Sequence, residues 1–125
     1  MTENEIASII IDTAFNLHKE LGSGLFENVY EIVLAKILAQ KGLSVQRQVA
    51  IPIEYAGEHF DGAFRVDLFI NGKVIVELKS VEKITPAHRK QLLTYLKLAK
   101  VKLGFILNFG SALMKDGIAR IVNGL

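Results

Sequence analysis

Ile6, Ile9, Ile10, Ala14, Leu17 and Leu21 recur at three- and four-residue steps, which predicts a helix over residues 3–21. Gly22-Ser23-Gly24 ends it, since glycine readily adopts the left-handed backbone that terminates helices. A second helix is predicted from Leu25 to Lys41, with Val29, Val33, Leu34, Ile37 and Leu38 as its stripe and Gly42 closing it. The short Gly-rich link predicts a bent helical pair. From Val45 the period falls to two: Val45, Val49, Ile51 and Ile53 mark a strand in which Pro52 favours an edge or an irregularity. Ala56-Gly57-Glu58-His59 reads as a turn, Phe60 to Ile70 as a strand, Asn71-Gly72 as a hairpin signal and Val74 to Lys79 as the next strand. Thr85 and Pro86 suit the N-cap and first position of a helix whose apolar face is Leu92, Leu93, Leu96 and Ala99. Leu103 to Asn108 is a continuous apolar run, the mark of a buried strand, and Gly117 to Val122 a weaker last strand. The order predicts an α/β sandwich with helices around a mixed sheet.

Composition narrows the class. A chain of 125 residues with half of them hydrophobic and 22% charged can bury one real core, so a single domain over 1–125 is expected and a disordered chain is excluded. Without cysteine there is neither a disulfide framework nor a thiolate metal site. No apolar run approaches a membrane span and the acidic Met1-Thr2-Glu3-Asn4-Glu5 is unlike a signal peptide, so a soluble cytoplasmic domain with no membrane partner is the expectation. The net charge of +2 hides a gradient: residues 1–31 carry −5 and residues 79–102 carry +6. A basic stretch of that density attracts a polyanion, or is a solvated helix face.

Asp67 and Glu77 lie on the two strands either side of Asn71-Gly72, and Glu77 shares a face with Lys79. An ideal two-residue loop would pair Asp67 with Val76 and put the acids on opposite faces. The apolar pattern argues otherwise. Phe64, Val66, Leu68 and Ile70 on one strand, and Val74, Val76 and Leu78 on the other, share a face only if paired residue numbers sum to an even value. A slip by one would send a whole apolar set to the wrong side, so an odd loop or a bulge is predicted at the turn. Asp67, Glu77 and Lys79 then share the other face, which Phe69 and Ile75 mark as partly covered by a helix. Such a pair suits a hard cation, which takes one or two carboxylates plus waters and phosphate. Equally, the acids could form ion pairs, Glu77 with Lys79 or Asp67 with Arg65.

Gly24-Leu25-Phe26-Glu27-Asn28-Val29-Tyr30 resembles the signature of the GxxExxY family, a branch of the PD-(D/E)XK nuclease superfamily. The likeness continues through Phe64-Arg65-Val66-Asp67-Leu68, Val76-Glu77-Leu78-Lys79, Gln91 to Leu96 and Leu107-Asn108-Phe109-Gly110, spanning about Ile9 to Asn123. The ordered set Gly-x-x-Glu, Asp, Glu-x-Lys, Gln-x-x-x-Tyr is similar to the RecB-like branch. The resemblance implies a restriction-endonuclease-like fold, with the motif residues in one cleft. It implies Mg²⁺ or Mn²⁺ held by Asp67, Glu77 and Glu27, with the Leu78 carbonyl as an extra ligand. Lys79 would orient the attacking water or stabilise phosphate charge, and Gln91 and Tyr95 would complete the rim. Each has a plainer alternative: helix-dipole stabilisation for Glu27, packing for Gln91 and Tyr95. Tyr30 is expected to pack or to hold Glu27.

His88, one turn before Gln91, and the cations Arg89, Lys90, Lys97 and Lys100 are the expected nucleic-acid contacts of the third helix. His18 and His59 show no metal-ligand spacing and read as surface residues. The leading expectation is a metal-dependent nuclease hydrolysing phosphodiester bonds, with DNA ahead of RNA. The alternative is a catalytically silent module of the same fold that binds nucleic acid or a protein partner within an assembly. The small size leaves room for a homodimer or a protein partner to supply specificity.

Overall fold

Helix ends in the computed structural model, which describes residues 1–125, are set by local chemistry. Thr2 and Glu5 form a reciprocal capping box at the start of α1 (Glu3–Leu21). Helix α2 (Glu27–Gln40) has no side-chain cap, because its N-cap is Phe26. Its start is fixed instead by Tyr30, whose hydroxyl donates to Gly22 O at 2.6 Å and accepts from Leu25 N–H at 3.2 Å, while its ring stacks on Phe109 at 4.3 Å. Tyr30 therefore packs and staples the α1–α2 link. Helix α3 (Pro86–Ala99) begins with a Thr85–His88 capping box and Pro86 in its first turn. No helix is long and apolar enough to cross a membrane.

The strands are β1 (Val45–Tyr55), β2 (Glu58–Ile70), β3 (Val74–Lys79), β4 (Leu103–Asn108) and β5 (Ile118–Val122), in the spatial order β1-β2-β3-β4-β5. Only β3 and β4 are parallel, joined through α3; the other neighbours are antiparallel. The sheet is mixed and the architecture α/β, as the pattern predicted. Pro52 lies in the edge strand, where the β1–β2 register shifts between Ile51 and Ile53. The β1–β2 turn is tighter than predicted, two residues (Ala56 and Gly57) that both have positive φ.

Two cores sandwich the sheet. Helices α1 and α2 cover one face, packing Ile6, Ile10, Leu34 and Leu38 on Leu68, Ile70, Val76 and Phe105. Helix α3 covers the other, with Leu92 and Leu96 over Val66, Ile75 and Ile106. It comes so close to β4 that a Cβ on Gly104 would lie 3.1 Å from both leucines.

The β2–β3 register is Leu68 with Val76, Phe69 with Ile75 and Ile70 with Val74, the even-sum pairing the apolar pattern demanded, closed by a three-residue loop of Asn71, Gly72 and Lys73. One premise of that expectation is corrected. Phe64 and Val66 do not share a face with Leu68 and Ile70: the first two pack under α3, the second two under α1 and α2. Strand β1 switches in step, with Val45 on the α1–α2 side and Val49, Ile51 and Ile53 on the α3 side. The switch falls at Gln48 and Asp67, and Gln48 has φ +53°. The β1–β2 ribbon thus turns over at this point and lays its far half along α3.

His18 is a further correction. It is 8% exposed rather than on the surface, its Nε2 lying 2.9 Å from Ser111 O. His59 is exposed in the β1–β2 arm, 3.6 Å from Glu54.

Candidate active site

Beyond Leu68–Val76 the backbone ladder between β2 and β3 stops and two carboxylates take over. Asp67 N–H donates to Glu77 Oε2 and Leu78 N–H donates to Asp67 Oδ2, each at 2.9 Å. Each acid therefore caps the other strand's open backbone, a charge-assisted bond that fixes its direction. Leu78 puts its side chain into the α1–α2 core, so only its backbone serves the site. Burial pushes the Glu77 carboxyl up to about 8 from 4.5, and the neighbouring Asp67 charge adds to it, while Lys79 acts weakly the other way. Neither ion pair weighed above forms: the chain's salt bridges are Arg47–Glu31 and His59–Glu54. Lys79 keeps its ammonium out of any such pair.

Tyr95 packs on the α3 side of the sheet, near enough for both acids to act on it. Its ring stacks on Phe64 at 4.2 Å, and burial raises its phenol, with Glu77 and then Asp67 contributing. Gln91, one turn earlier, is exposed on the same side of α3. The packing alternative for Tyr95 is thus met by the Phe64 stack.

Other expected site residues are not gathered here. Glu27 Oε1 accepts from Ser80 N–H at 3.3 Å, and Glu27 lines an open depression with Gly24, Leu25, Phe26, Asn28 and Ser80. No three His, Asp or Glu side chains are grouped to hold a metal ion, so Glu27 does not join Asp67 and Glu77. The pockets of the fold are lined by neither of the paired acids. Glu27 sits in the first turn of α2, where its carboxylate meets the chain just past the end of β3.

The cations of α3 also disperse. At 3.6 residues per turn, Lys90 and Lys97 lie about 100–160° around the helix from Gln91 and Tyr95. Arg89 lines a pocket with Glu82, Lys83, Ser111 and Asp116, and Lys100 caps the far end beside the β1–β2 arm. His88 Nδ1 accepts from Thr85 N–H at 3.1 Å, so its first duty is the helix cap.

Sequence reasoning missed a group on the inner side. Glu31, 4% exposed, binds Arg47 at 2.8 and 3.0 Å and Gln48 at 2.7 Å, and Gln48 also reaches Asp67. The available signal was Glu31 itself, an acid one turn from Glu27 and next to the buried Tyr30 in a largely apolar helix. It also missed Asn108, fully buried at the end of β4, whose amide holds Val81 N–H and C=O, Gly110 N–H and Ser111 Oγ. With Phe109 N–H donating to Lys79 O at 2.9 Å, it fixes the chain just after Lys79.

Residues 4–121 match the family model of the PD-(D/E)XK nuclease superfamily, and the chain belongs to that superfamily. The mixed sheet between helices agrees with a restriction-endonuclease-like fold. The search of curated proteins and the search of solved structures each return no match.

Proposed function

We propose that this nuclease-superfamily domain is a metal-dependent phosphodiesterase acting on DNA, and that Gly24 to Tyr30 sets it in the GxxExxY branch. The observation that carries the reading is the pairing of Asp67 and Glu77 across split strands, on the face that also bears Lys79 and lies under Tyr95. A largely buried carboxyl pair of this kind suits a cation, which takes the place of the proton on Glu77. Apart from their contact with each other, Glu77 Oε1 accepts from no protein N–H or O–H, and Asp67 Oδ1 accepts only from the Gln48 amide. Two carboxylate donors are the number that Mg²⁺ or Mn²⁺ takes when substrate phosphate and water fill its other positions. When bound, such an ion polarises a phosphate oxygen and lowers the pKa of its water.

The chain's own residues supply the rest. Asp67 and Glu77 hold the ion, with the Leu78 backbone beside them. Lys79, held by the Asn108-anchored turn, orients the nucleophile and balances charge on the phosphate. Gln91 and Tyr95 bind the strand at the rim. Glu27 holds Ser80 N–H and so the chain after Lys79, outside the ion's own ligands. Arg89, Lys90, Lys97 and Lys100 attract the polyanion without marking its register.

The test is incubation of the pure protein with labelled single-stranded, duplex and branched DNA, in Mg²⁺, Mn²⁺ or EDTA, beside Lys79→Ala. Cleavage in metal, none in EDTA and none by Lys79→Ala is the expected result. Binding without cleavage, alike in both proteins, would make the domain a silent binding module. Neither binding nor cleavage would overturn the nucleic-acid reading.

A further inference from the structure

Gln48 carries a left-handed backbone, φ +53°, in the middle of a strand. Non-glycine residues are uncommon there, and strained positions of this kind collect at functional sites. Arg47 pairs with Leu68 and Val49 with Val66, so the step between them sets Gln48 opposite Asp67, where the ribbon turns over. The backbone turn brings the Gln48 side chain between two acids. Its Nε2 donates to Glu31 Oε1 at 2.7 Å and to Asp67 Oδ1 at 3.2 Å. Both partners are acceptors, so the amide is oriented by chemistry, with its NH₂ toward them. Glu31 is itself clamped: Arg47 Nε and Nη2 both donate to its Oε2, at 3.0 and 2.8 Å.

The consequence for Asp67 is that neither carboxylate oxygen is free to turn. Oδ2 is held by Leu78 N–H and Oδ1 by Gln48, which is tied in turn to the ion pair between exposed Arg47 on β1 and buried Glu31 on α2. Groups that orient a ligating carboxylate govern affinity strongly, with losses of roughly 10–100-fold when they are removed. We infer that Gln48 is a positioning residue for divalent-cation binding, linking Asp67 to the Arg47–Glu31 pair through its two amide hydrogens. This inference rests on the proposed role of Asp67 and Glu77 in holding the ion.

The test is isothermal titration of Mn²⁺ alone into wild type, Gln48→Ala and Gln48→Gly, with folding checked by circular dichroism. The two variants lose the same amide but differ in backbone: glycine accepts the positive φ without strain and alanine does not. Both should bind Mn²⁺ about 10-fold or more weakly than wild type, although Gln48→Gly melts higher than Gln48→Ala. Wild-type affinity in both variants would overturn the inference. So would wild-type affinity in Gln48→Gly with a loss only in Gln48→Ala, since backbone conformation and not the amide would then matter. If Gln48→Ala fails to fold, Gln48→Gly decides alone, by loss or retention of affinity. Failure of wild type itself to bind Mn²⁺ would overturn the metal reading and this inference with it. Wild-type binding with unchanged variants would overturn this inference and leave the metal reading standing.

Discussion

Replacing Glu77 by Gln should stabilise the metal-free protein at pH 8 and leave it unchanged at pH 5. The folded carboxyl is pushed up to about 8 by burial and by Asp67, from 4.5 when solvated. Between those values the folded state holds a proton that the unfolded state has lost. Stability is therefore full below about pH 4.5, falls as pH rises toward 8, and levels off above. At about 1.4 kcal/mol for each factor of ten, the ceiling on the loss is about 5 kcal/mol. Water reaching the site and relaxation of the pair reduce this to an expected loss of roughly 2 kcal/mol. Glutamine mimics the protonated acid: its carbonyl still accepts from Asp67 N–H, and it carries no charge at any pH.

Urea unfolding followed by circular dichroism in EDTA, at half-unit steps from pH 5 to pH 8.5, reads the effect. The difference between wild type and Glu77→Gln isolates the one carboxyl from every group the two proteins share. It should grow from about zero to roughly 2 kcal/mol in favour of the variant, or about 8 °C in melting temperature at this chain length. Saturating Mg²⁺ should restore wild type at pH 8 and do nothing for the variant. Parallel stability curves across the whole range would refute the reasoning, because the acid pair would then carry no repulsion to relieve.

Mg²⁺ or Mn²⁺ at a hundred times its dissociation constant should raise wild-type stability by about 2.7 kcal/mol, and Asp67→Asn should abolish the gain in a thermal shift assay. Asn108→Ala should cost about 2–4 kcal/mol in urea, since it strands buried partners on Val81 and Gly110. Replacing Lys90, Lys97 and Lys100 together by Gln should weaken DNA binding alike for all sequences and flatten the salt dependence. The cleavage rate at saturating DNA should hold, because these side chains point away from the Tyr95 side.

Helix and strand positions were legible because period and punctuation agree: α1 spans Glu3–Leu21 as read, and β3 and β4 match their apolar runs. The shared face of Asp67 and Glu77 was legible because Leu68, Ile70, Val74 and Val76 must be buried together. Phe64 and Val66 were misassigned because period-two reasoning presumes a strand that keeps its faces, and this ribbon turns over at Gln48. Nothing in the residue type of Gln48 announces a positive φ, since glutamine has no preference for it. The separation of Glu27 from the acid pair was hidden for a related reason. Sequence order puts a residue on an element, but which side of the sheet that element covers is decided by tertiary packing.

The acids at the centre of the site are also part of the fold. Where β2 and β3 part, the Asp67 and Leu78 amides would each lack a partner, and the carboxylates of Glu77 and Asp67 supply them. Two consequences follow from this double role. The carboxylates are aimed by the backbone, so the site is formed before any ion arrives. The same bonds hold two carboxyls in a largely buried place, so the metal-free protein keeps a proton on Glu77 up to about pH 8 and carries two like charges only above it. That combination separates amide from alanine replacements: an amide keeps the acceptor and removes the charge, whereas alanine removes both. It also separates local from diffuse recognition. On the proposed reading the cation goes to side chains fixed from β1, β2, β3 and α2, while the lysines of α3 spread their charge around the helix. In the proposed nuclease, discrimination among DNA forms would rest on what can approach Gln91, Tyr95 and the Phe64 ring on which Tyr95 lies, not on the count of basic residues.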